Sequence, residues 1–161
     1  MYLSLLKIAE TQFSSSFIML KRLREVKTTL VAMVISEFWY FWRKIDQAAS
    51  KRVKDTMLDD AWWERVDITI KIMDPIIGFL QFADTNQSIL GEVYEGWDSM
   101  IEFVRTIILQ SECLEYGTSS DAFFTTIHDM FVSRWDKNST PFYCLAHSLN
   151  PKYYSHEWLN G

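Results

Sequence analysis

Apolar residues recur every three or four positions through almost the whole chain, and this periodicity limits the possible folds more than any other feature. Between residues 62 and 80, and again between 89 and 107, they follow one another at the spacing of a single helix face. Strand-like alternation and internal repeats are lacking. Five glycines and three prolines in 161 residues also disfavour a turn-rich β-sandwich. We therefore predict an all-α fold, an irregular bundle of about six to seven helices in a single domain over residues 1–161.

The first half of the chain divides into several predicted helices. The apolar stripe over residues 13–33 indicates one long amphipathic helix. Ser36 suits the N-cap of a short helix that carries the following aromatic run. Residues 46–58 indicate a charged, exposed helix or linker, and the next helix begins at Asp59-Asp60, where carboxylates favour the helix dipole. Because Pro75 removes one backbone donor, we expect that helix to be kinked.

The second half continues the pattern with shorter breaks. A polar turn at 84–87 precedes a long helix over 89–107, and the segment 111–120 is the clearest loop, where we expect flexibility. A further helix covers 124–135, and a last short helix covers 144–149. The sequence thus predicts long helices separated by polar breaks.

Charge is unevenly distributed along a chain whose net charge is −5 and whose isoelectric point is near 5.2. Residues 21–54 hold nine bases against three acids, whereas residues 59–98 hold nine acids against two bases. This pattern is typical of solvated helix faces of opposite sign. It also allows a basic helix over 21–27 to meet an anion such as nucleic acid. The residues of that candidate site are Lys21, Arg22, Arg24, Lys27 and Phe13.

Two cysteines, Cys113 and Cys144, are too few for a disulfide framework, and we expect both to stay reduced. The opening residues lack the basic start and sustained apolar run of a signal peptide. No stretch approaches the roughly 18 apolar residues that a transmembrane helix needs. We therefore expect an intracellular protein without a membrane span.

Two residue pairs suggest metal chemistry at first sight. Cys144 and His147 form a C-x-x-H, which on a helix places both side chains on one face. A zinc site needs about four ligands, however, and the chain offers no second such pair. Asp59 and Asp60 are adjacent, so on a helix they point about 100° apart and do not converge on one ion. The sequence accordingly predicts neither a metal site, a cofactor nor enzymatic activity.

The run Phe38-Trp39-Tyr40-Phe41-Trp42 places five aromatic side chains in succession. A helix cannot bury all of its faces against one neighbour, so some of these rings must point outward or toward a partner. We predict a partner interface at Phe38, Trp39, Tyr40 and Trp42. The alternative is that the run simply packs within the domain.

Three segments together resemble plant transposase-derived proteins of the hAT superfamily. They are Thr-Gln-Phe-Ser-Ser-Ser-Phe-Ile-Met-Leu at 11–20, Leu-Asp-Asp-Ala-Trp-Trp at 58–63 and Leu-Asn-Pro-Lys-Tyr-Tyr at 149–154. The similarity extends over nearly the whole chain through the flanking residues 23–27, 66–75, 91–98, 134–135, 141 and 145–148. The order and spacing of these segments, rather than any one of them, carry the resemblance.

The resemblance implies a position within a ribonuclease H-like transposase domain, in its large helical insertion. The family's three catalytic acids lie outside that insertion, so none corresponds to a residue of this chain. Family members carry an arginine beside an aromatic residue where this chain has Gln12 and Phe13, and Gln12 cannot supply a fixed charge to a phosphate. The implied location is nuclear, with the cytoplasm as the alternative.

We therefore expect a non-catalytic fragment or domesticated remnant of an hAT-like transposase that acts as a protein-interaction module, with self-association included among its possible contacts. The alternative is weak, sequence-independent nucleic-acid binding by the basic helix 21–27. A metal-dependent nuclease is a third class, which the missing carboxylate set disfavours.

Overall fold

A computed structural model describes residues 14–42, 46–84, 89–111 and 120–154, apart from the side chains of Tyr40, Trp42 and Ser120. Across these ranges the chain forms eight α-helices and one 3₁₀ turn, and it forms no strand, so the predicted all-α class is confirmed. The helices are α1 Ser15–Glu25, α2 Lys27–Ile35, α3 Glu37–Trp42, α4 Gln47–Leu58, α5 Asp60–Ala83, α6 Val93–Gln110, α7 Ser120–Asn138 and α8 Pro141–Ser148, and the 3₁₀ turn is Pro151–Tyr153.

The chain packs as two compact units, Met1–Met73 and Asp74–Gly161. The boundary falls inside α5, beside Pro75, through which the helix continues. Because proline has no N–H, the Lys71 carbonyl lacks the usual donor four residues later. Each unit has its own buried apolar residues, which form the two cores.

The first unit is built on α2, which packs against α1, α3 and α4. Its buried residues are Phe17, Val26, Val34, Trp63 and Val66. The predicted helix over 13–33 is interrupted at Val26, whose φ of −91° and ψ of 4° separate α1 from α2. Val26 is itself buried, so the apolar stripe runs across the break without interruption.

Trp63 joins two successive helices of this unit. Its ring is 1% exposed, and its indole N–H donates to the Met57 carbonyl oxygen at 2.9 Å, close to the end of α4. A buried indole needs such an acceptor, since an unpaired N–H is costly. The turn between α4 and α5 is therefore fixed by one large core residue.

The second unit is centred on α6, which packs against α7 and α8. Met100, Val104 and Ile108 recur every four residues on α6 and are all buried, as is Ile77 of α5. An aromatic cluster extends this core: Trp97 lies 5.5 Å from both Phe79 and Trp135 between ring centroids. The apolar residues that recur at helical spacing in α6 thus form its buried face.

The structure bears on two further predictions, the loop at 111–120 and the lack of a membrane-spanning helix. The predicted loop at 111–120 is described at Ser111, which ends α6, and at Ser120, which begins α7, while 112–119 lie outside the described residues. Within the described residues, no helix combines the length and apolar character that crossing a membrane requires.

Candidate functional site

Three large apolar side chains at α3 and at the end of α2 face solvent. Phe38 is 79% exposed, Phe41 is 66% exposed and Ile35 is 63% exposed. Beside them lies a pocket of about 440 Å³, lined by Val34, Ile35, Ser36, Glu37, Trp39, Phe41 and Lys54. We call this pocket, together with Phe38, the α3 surface. Trp39 is half-buried within it, and the side chains of Tyr40 and Trp42 lie outside the described residues.

Ser36 creates the α3 surface by ending α2. Its extended backbone (φ −67°, ψ 156°) turns the chain out of the helix, and its hydroxyl donates to the Met33 carbonyl oxygen at 2.7 Å. The hydroxyl therefore forms a hydrogen bond with a backbone carbonyl at the C-terminal end of α2. It is not the predicted N-cap contact to a backbone N–H of α3. The Ser36 carbonyl accepts from the Trp39 N–H at 3.1 Å and starts the short helix. Beyond this change of direction, Phe38 and Phe41 face solvent.

Helix α4, which packs against α2, contributes Lys54 to the lining of the α3 surface. Lys51, Arg52 and Lys54 are all exposed, and none of them forms an ion pair within the described parts of the chain. Asp46 begins α4 by accepting from the Ala49 N–H at 2.9 Å. The helix therefore carries three available positive charges, with Lys54 lining the pocket itself.

The basic residues of α1 and α2 are placed differently, because each of three meets a carboxylate. Arg22 pairs with Glu25 at 2.8 Å, and Lys27 lies 3.6 Å from Asp60. Arg24 is hydrogen-bonded to Asp67, and this bond raises the pKa of Arg24 above its ordinary value.

The fourth base of this candidate site lies over a ring of its own helix. The Lys21 ammonium is 4.4 Å from the centroid of the Phe17 ring. Phe13, the remaining residue of the candidate nucleic-acid site, lies outside the described residues, as does Gln12. The carboxylates of Glu25, Asp60 and Asp67 thus offset much of the charge that a phosphate would meet on α1 and α2.

The candidate metal residues do not converge. Asp59 faces Arg65 at 3.5 Å, whereas Asp60 faces Lys27, so the two carboxylates serve different bases. Cys144 is exposed, while the His147 ring lies 4.2 Å from Tyr153 between centroids. Among the described residues, no group of three or more His, Cys, Asp or Glu side chains could hold a metal ion.

His147 belongs to a contact between two distant segments of the second unit. Its Nδ1 lies 3.3 Å from the Gly91 carbonyl oxygen, and its ring lies 5.2 Å from that of Tyr94. Lys152 donates to Glu92 at 3.0 Å, which raises the pKa of Lys152 above its ordinary value. The Gly-Glu-Val-Tyr run at 91–94 is thereby joined to the start of the Leu-Asn-Pro-Lys-Tyr-Tyr segment.

A second pocket, of about 320 Å³, opens beside the aromatic cluster of the second unit. It is lined by Phe79, Ala83, Ile89, Leu90, Val93, Trp97, Arg134, Trp135, Asn138, Ser139 and Tyr143. Sequence reasoning missed this pocket, although Arg134-Trp135 was already part of the resemblance. Its lining comes from four helices and from the segments that precede α6 and α8, so no local pattern could have revealed it.

No protein-family model, curated protein or solved structure matches the chain. The features of the described residues that bear on function are the two pockets, the exposed aromatic residues and the distribution of charge.

Proposed function

We propose that this protein is a non-catalytic interaction module that binds a protein partner through the α3 surface. The observation that carries the proposal is the exposure of Phe38 and Phe41, at 79% and 66%, beside a pocket of about 440 Å³. Large solvent-exposed aromatic side chains beside a concave apolar pocket are typical of protein-binding sites. Burial of these side chains by a partner would remove apolar surface from water, which favours binding by roughly 25 cal/mol for each Å² buried.

The charges around this pocket favour one chemical class of partner. Lys51, Arg52 and Lys54 supply three positive charges along α4, while Glu37 and Asp55 supply two negative ones nearby in sequence. An acidic segment with apolar residues at helical spacing would place its apolar face on Phe38 and Phe41. Its carboxylates would then meet the bases of α4. This corresponds to the helix-in-groove mode of peptide recognition.

We further infer that the module derives from the helical insertion of a plant hAT-like transposase. Support comes from contacts among the segments that carry the resemblance. Arg24 of the first segment bonds to Asp67 of the second, and Lys27 lies 5.1 Å from the Trp63 ring centroid. Gly91 of the second segment meets His147 of the third. This origin implies a nuclear location and no catalytic acid of its own.

Nucleic-acid binding by the basic helix is the weaker alternative. Arg22, Arg24 and Lys27 have carboxylate neighbours, which compete with phosphate for the same cations. Lys54 has no ion-pair partner among the described residues and is better placed to meet an anion, yet it lines an apolar pocket rather than a polar groove. A protein partner can contact both the apolar pocket and the positive charge beside it, whereas a phosphate backbone interacts only with the charge.

The test is a pair of synthetic helical peptides with identical apolar positions. One carries Glu at its polar positions and the other carries Lys, and binding to the purified chain is measured by fluorescence anisotropy. We expect the acidic peptide to bind at least tenfold more tightly, about 1.4 kcal/mol. The double variant Phe38→Ser, Phe41→Ser should abolish that binding.

Phe142→Ser is the matched control, since Phe142 is 68% exposed but lies on α8. Equal binding of the two peptides, or an equal loss in the Phe142→Ser variant, would reject the α3 surface as the site. Sedimentation velocity of the peptide-free protein tests self-association. A dimer that dissociates in the Phe38→Ser, Phe41→Ser variant would assign the surface to a second copy and overturn the acidic partner.

A further inference from the structure

The pocket beside the aromatic cluster has walls made largely of rings. Trp97 and Trp135 lie 5.5 Å apart between centroids with their planes inclined by 33°, and Tyr143 lies 6.1 Å from Trp135. Phe79 meets Trp97 edge-on. Such walls offer flat apolar faces and hydrogen-bearing edges, against which another aromatic ring packs favourably.

The pocket lining includes one charged side chain, that of Arg134. Arg134 is exposed and lines the pocket, and its guanidinium forms no ion pair or hydrogen bond to any of the described residues. Arg24, Arg65 and Arg105, by contrast, each face a carboxylate. A guanidinium presents several N–H donors in a planar fork that matches the two oxygens of a carboxylate.

Two further polar side chains of the pocket lining, Asn138 and Ser139, follow Arg134 in the sequence. Asn138 is four residues further along α7, one turn from Arg134, and Ser139 follows it. Both line the pocket, and neither side chain forms a hydrogen bond to another described residue. The pocket thus combines one aromatic wall with one cationic, hydrogen-bonding edge.

We propose that this pocket binds a small aromatic carboxylic acid, with its ring against Trp97 and Trp135 and its carboxylate on Arg134. The volume of about 320 Å³ lies at the lower end of the range for small-molecule pockets and suits a ligand of one or two rings. A single cation matches one carboxylate, whereas a polyphosphate would need several cations or a nest of backbone N–H groups. This site lies in the second unit and is independent of the α3 surface.

The probe is 1-naphthoate, and its uncharged counterpart is 1-naphthamide. Titration calorimetry should give a dissociation constant of about 1 mM or tighter for the acid, as expected for a ligand of its size. The amide should bind at least about tenfold more weakly, because it lacks the charge-assisted bond to the guanidinium. Indole N–H resonances of Trp97 and Trp135 should shift on binding, whereas those of Trp62 and Trp63 in the first unit should not.

Arg134→Leu should weaken naphthoate binding about tenfold and leave naphthamide binding unchanged. Lys137→Leu removes a positive charge from the same helix but not from the pocket, so it should bind naphthoate like the unmodified protein. Ala83→Leu should weaken both ligands, since it fills the pocket from an exposed position at the end of α5. The helical circular-dichroism spectrum of each variant checks that it folds.

Three results would overturn the proposal. The first is equal binding of acid and amide, and the second is unchanged naphthoate binding by Arg134→Leu. The third is a tripeptide ending in 1-naphthylalanine that binds tenfold more tightly than naphthoate, which would assign the pocket to a peptide terminus. None of these results bears on the acidic peptide, whose binding depends on Phe38 and Phe41.

Discussion

Gly91 lies where the 91–94 run meets α8, and a side chain there has no room. A Cβ atom at this position would lie 2.9 Å from the backbone carbonyl oxygen of Ala146 and 3.1 Å from the side-chain Nδ2 of Asn150. The nearest obstacle is backbone, so it cannot move aside without shifting α8. The same residue offers its carbonyl oxygen to His147. A single missing methyl group thus permits the contact between two of the segments that carry the hAT resemblance.

We expect Gly91→Ala to lower the free energy of unfolding by about 1–3 kcal/mol, the usual cost of overpacking. Gly78→Ala is the matched control, because a Cβ there meets nothing within 4 Å and α5 is helical at that point. It should raise stability by about 0.5–1 kcal/mol, since alanine is the better helix former. Urea denaturation followed by circular dichroism measures both. A Gly91→Ala protein as stable as the original would mean that α8 does not pack as described.

At the scale of elements, α4 is the helix whose existence depends most on a local signal. Helix α4 has no buried residue, so tertiary packing contributes less to its stability than to the stability of α5 or α6. Its first turn is held by the Asp46 carboxylate, which accepts from the Ala49 N–H at 2.9 Å. Loss of such a cap typically costs about 0.5–2 kcal/mol. The helix that places Lys54 in the α3 surface is therefore started by one capping residue.

Asp46→Ala should lower stability by about 1 kcal/mol and weaken binding of the acidic peptide, because the start of the helix that carries Lys51 and Lys54 becomes less ordered. Asp46→Asn keeps a capping oxygen and should differ little from the original protein in both measurements. Urea denaturation and peptide anisotropy together make the test. Full peptide affinity in the Asp46→Ala variant would show that α4 does not contribute to the surface.

Sequence periodicity predicts α5, α6 and α7 well, because each has an apolar stripe long enough to identify it. It left residues 46–58 open between helix and linker, since that segment is mostly polar and its helix rests on a cap. It missed the division at Val26 because the apolar stripe crosses that residue unchanged. The aromatic run was visible in the sequence, but Arg134 as part of a pocket was not. Its neighbours there come from distant parts of the chain, and local spacing carries no information about them.

At the scale of the whole molecule, the relevant property is how an acidic protein distributes its positive charge. With a net charge of −5, long-range electrostatics oppose a polyanion. The bases of α1 and α2 are also offset locally, since Lys27 has Asp60 beside it and Arg24 has Asp67. These pairs are largely exposed, so they add little stability, yet they lower the potential that an approaching phosphate experiences.

We therefore expect duplex DNA to bind no more tightly than about 10⁻⁶ M at physiological salt, without sequence preference. The double variant Asp60→Asn, Asp67→Asn should bind more tightly at low salt, because it releases Lys27 and Arg24 for phosphate contacts. Its log–log salt dependence should steepen by roughly 2, at about 0.9 per phosphate contact. Fluorescence anisotropy of a labelled duplex across a salt series provides both quantities.

The control for this experiment is Asp98→Asn, Asp136→Asn, which changes the net charge equally at carboxylates that pair with none of these bases. If net charge alone governs DNA binding, the two double variants will behave alike. If local neutralisation governs it, only Asp60→Asn, Asp67→Asn will show the steeper salt dependence. Tight binding by the original protein at physiological salt, lost when Lys21, Arg22, Arg24 and Lys27 become Ala, would instead make nucleic acid the ligand of this helix. The carboxylates beside three of those four bases are the reason we expect the opposite result.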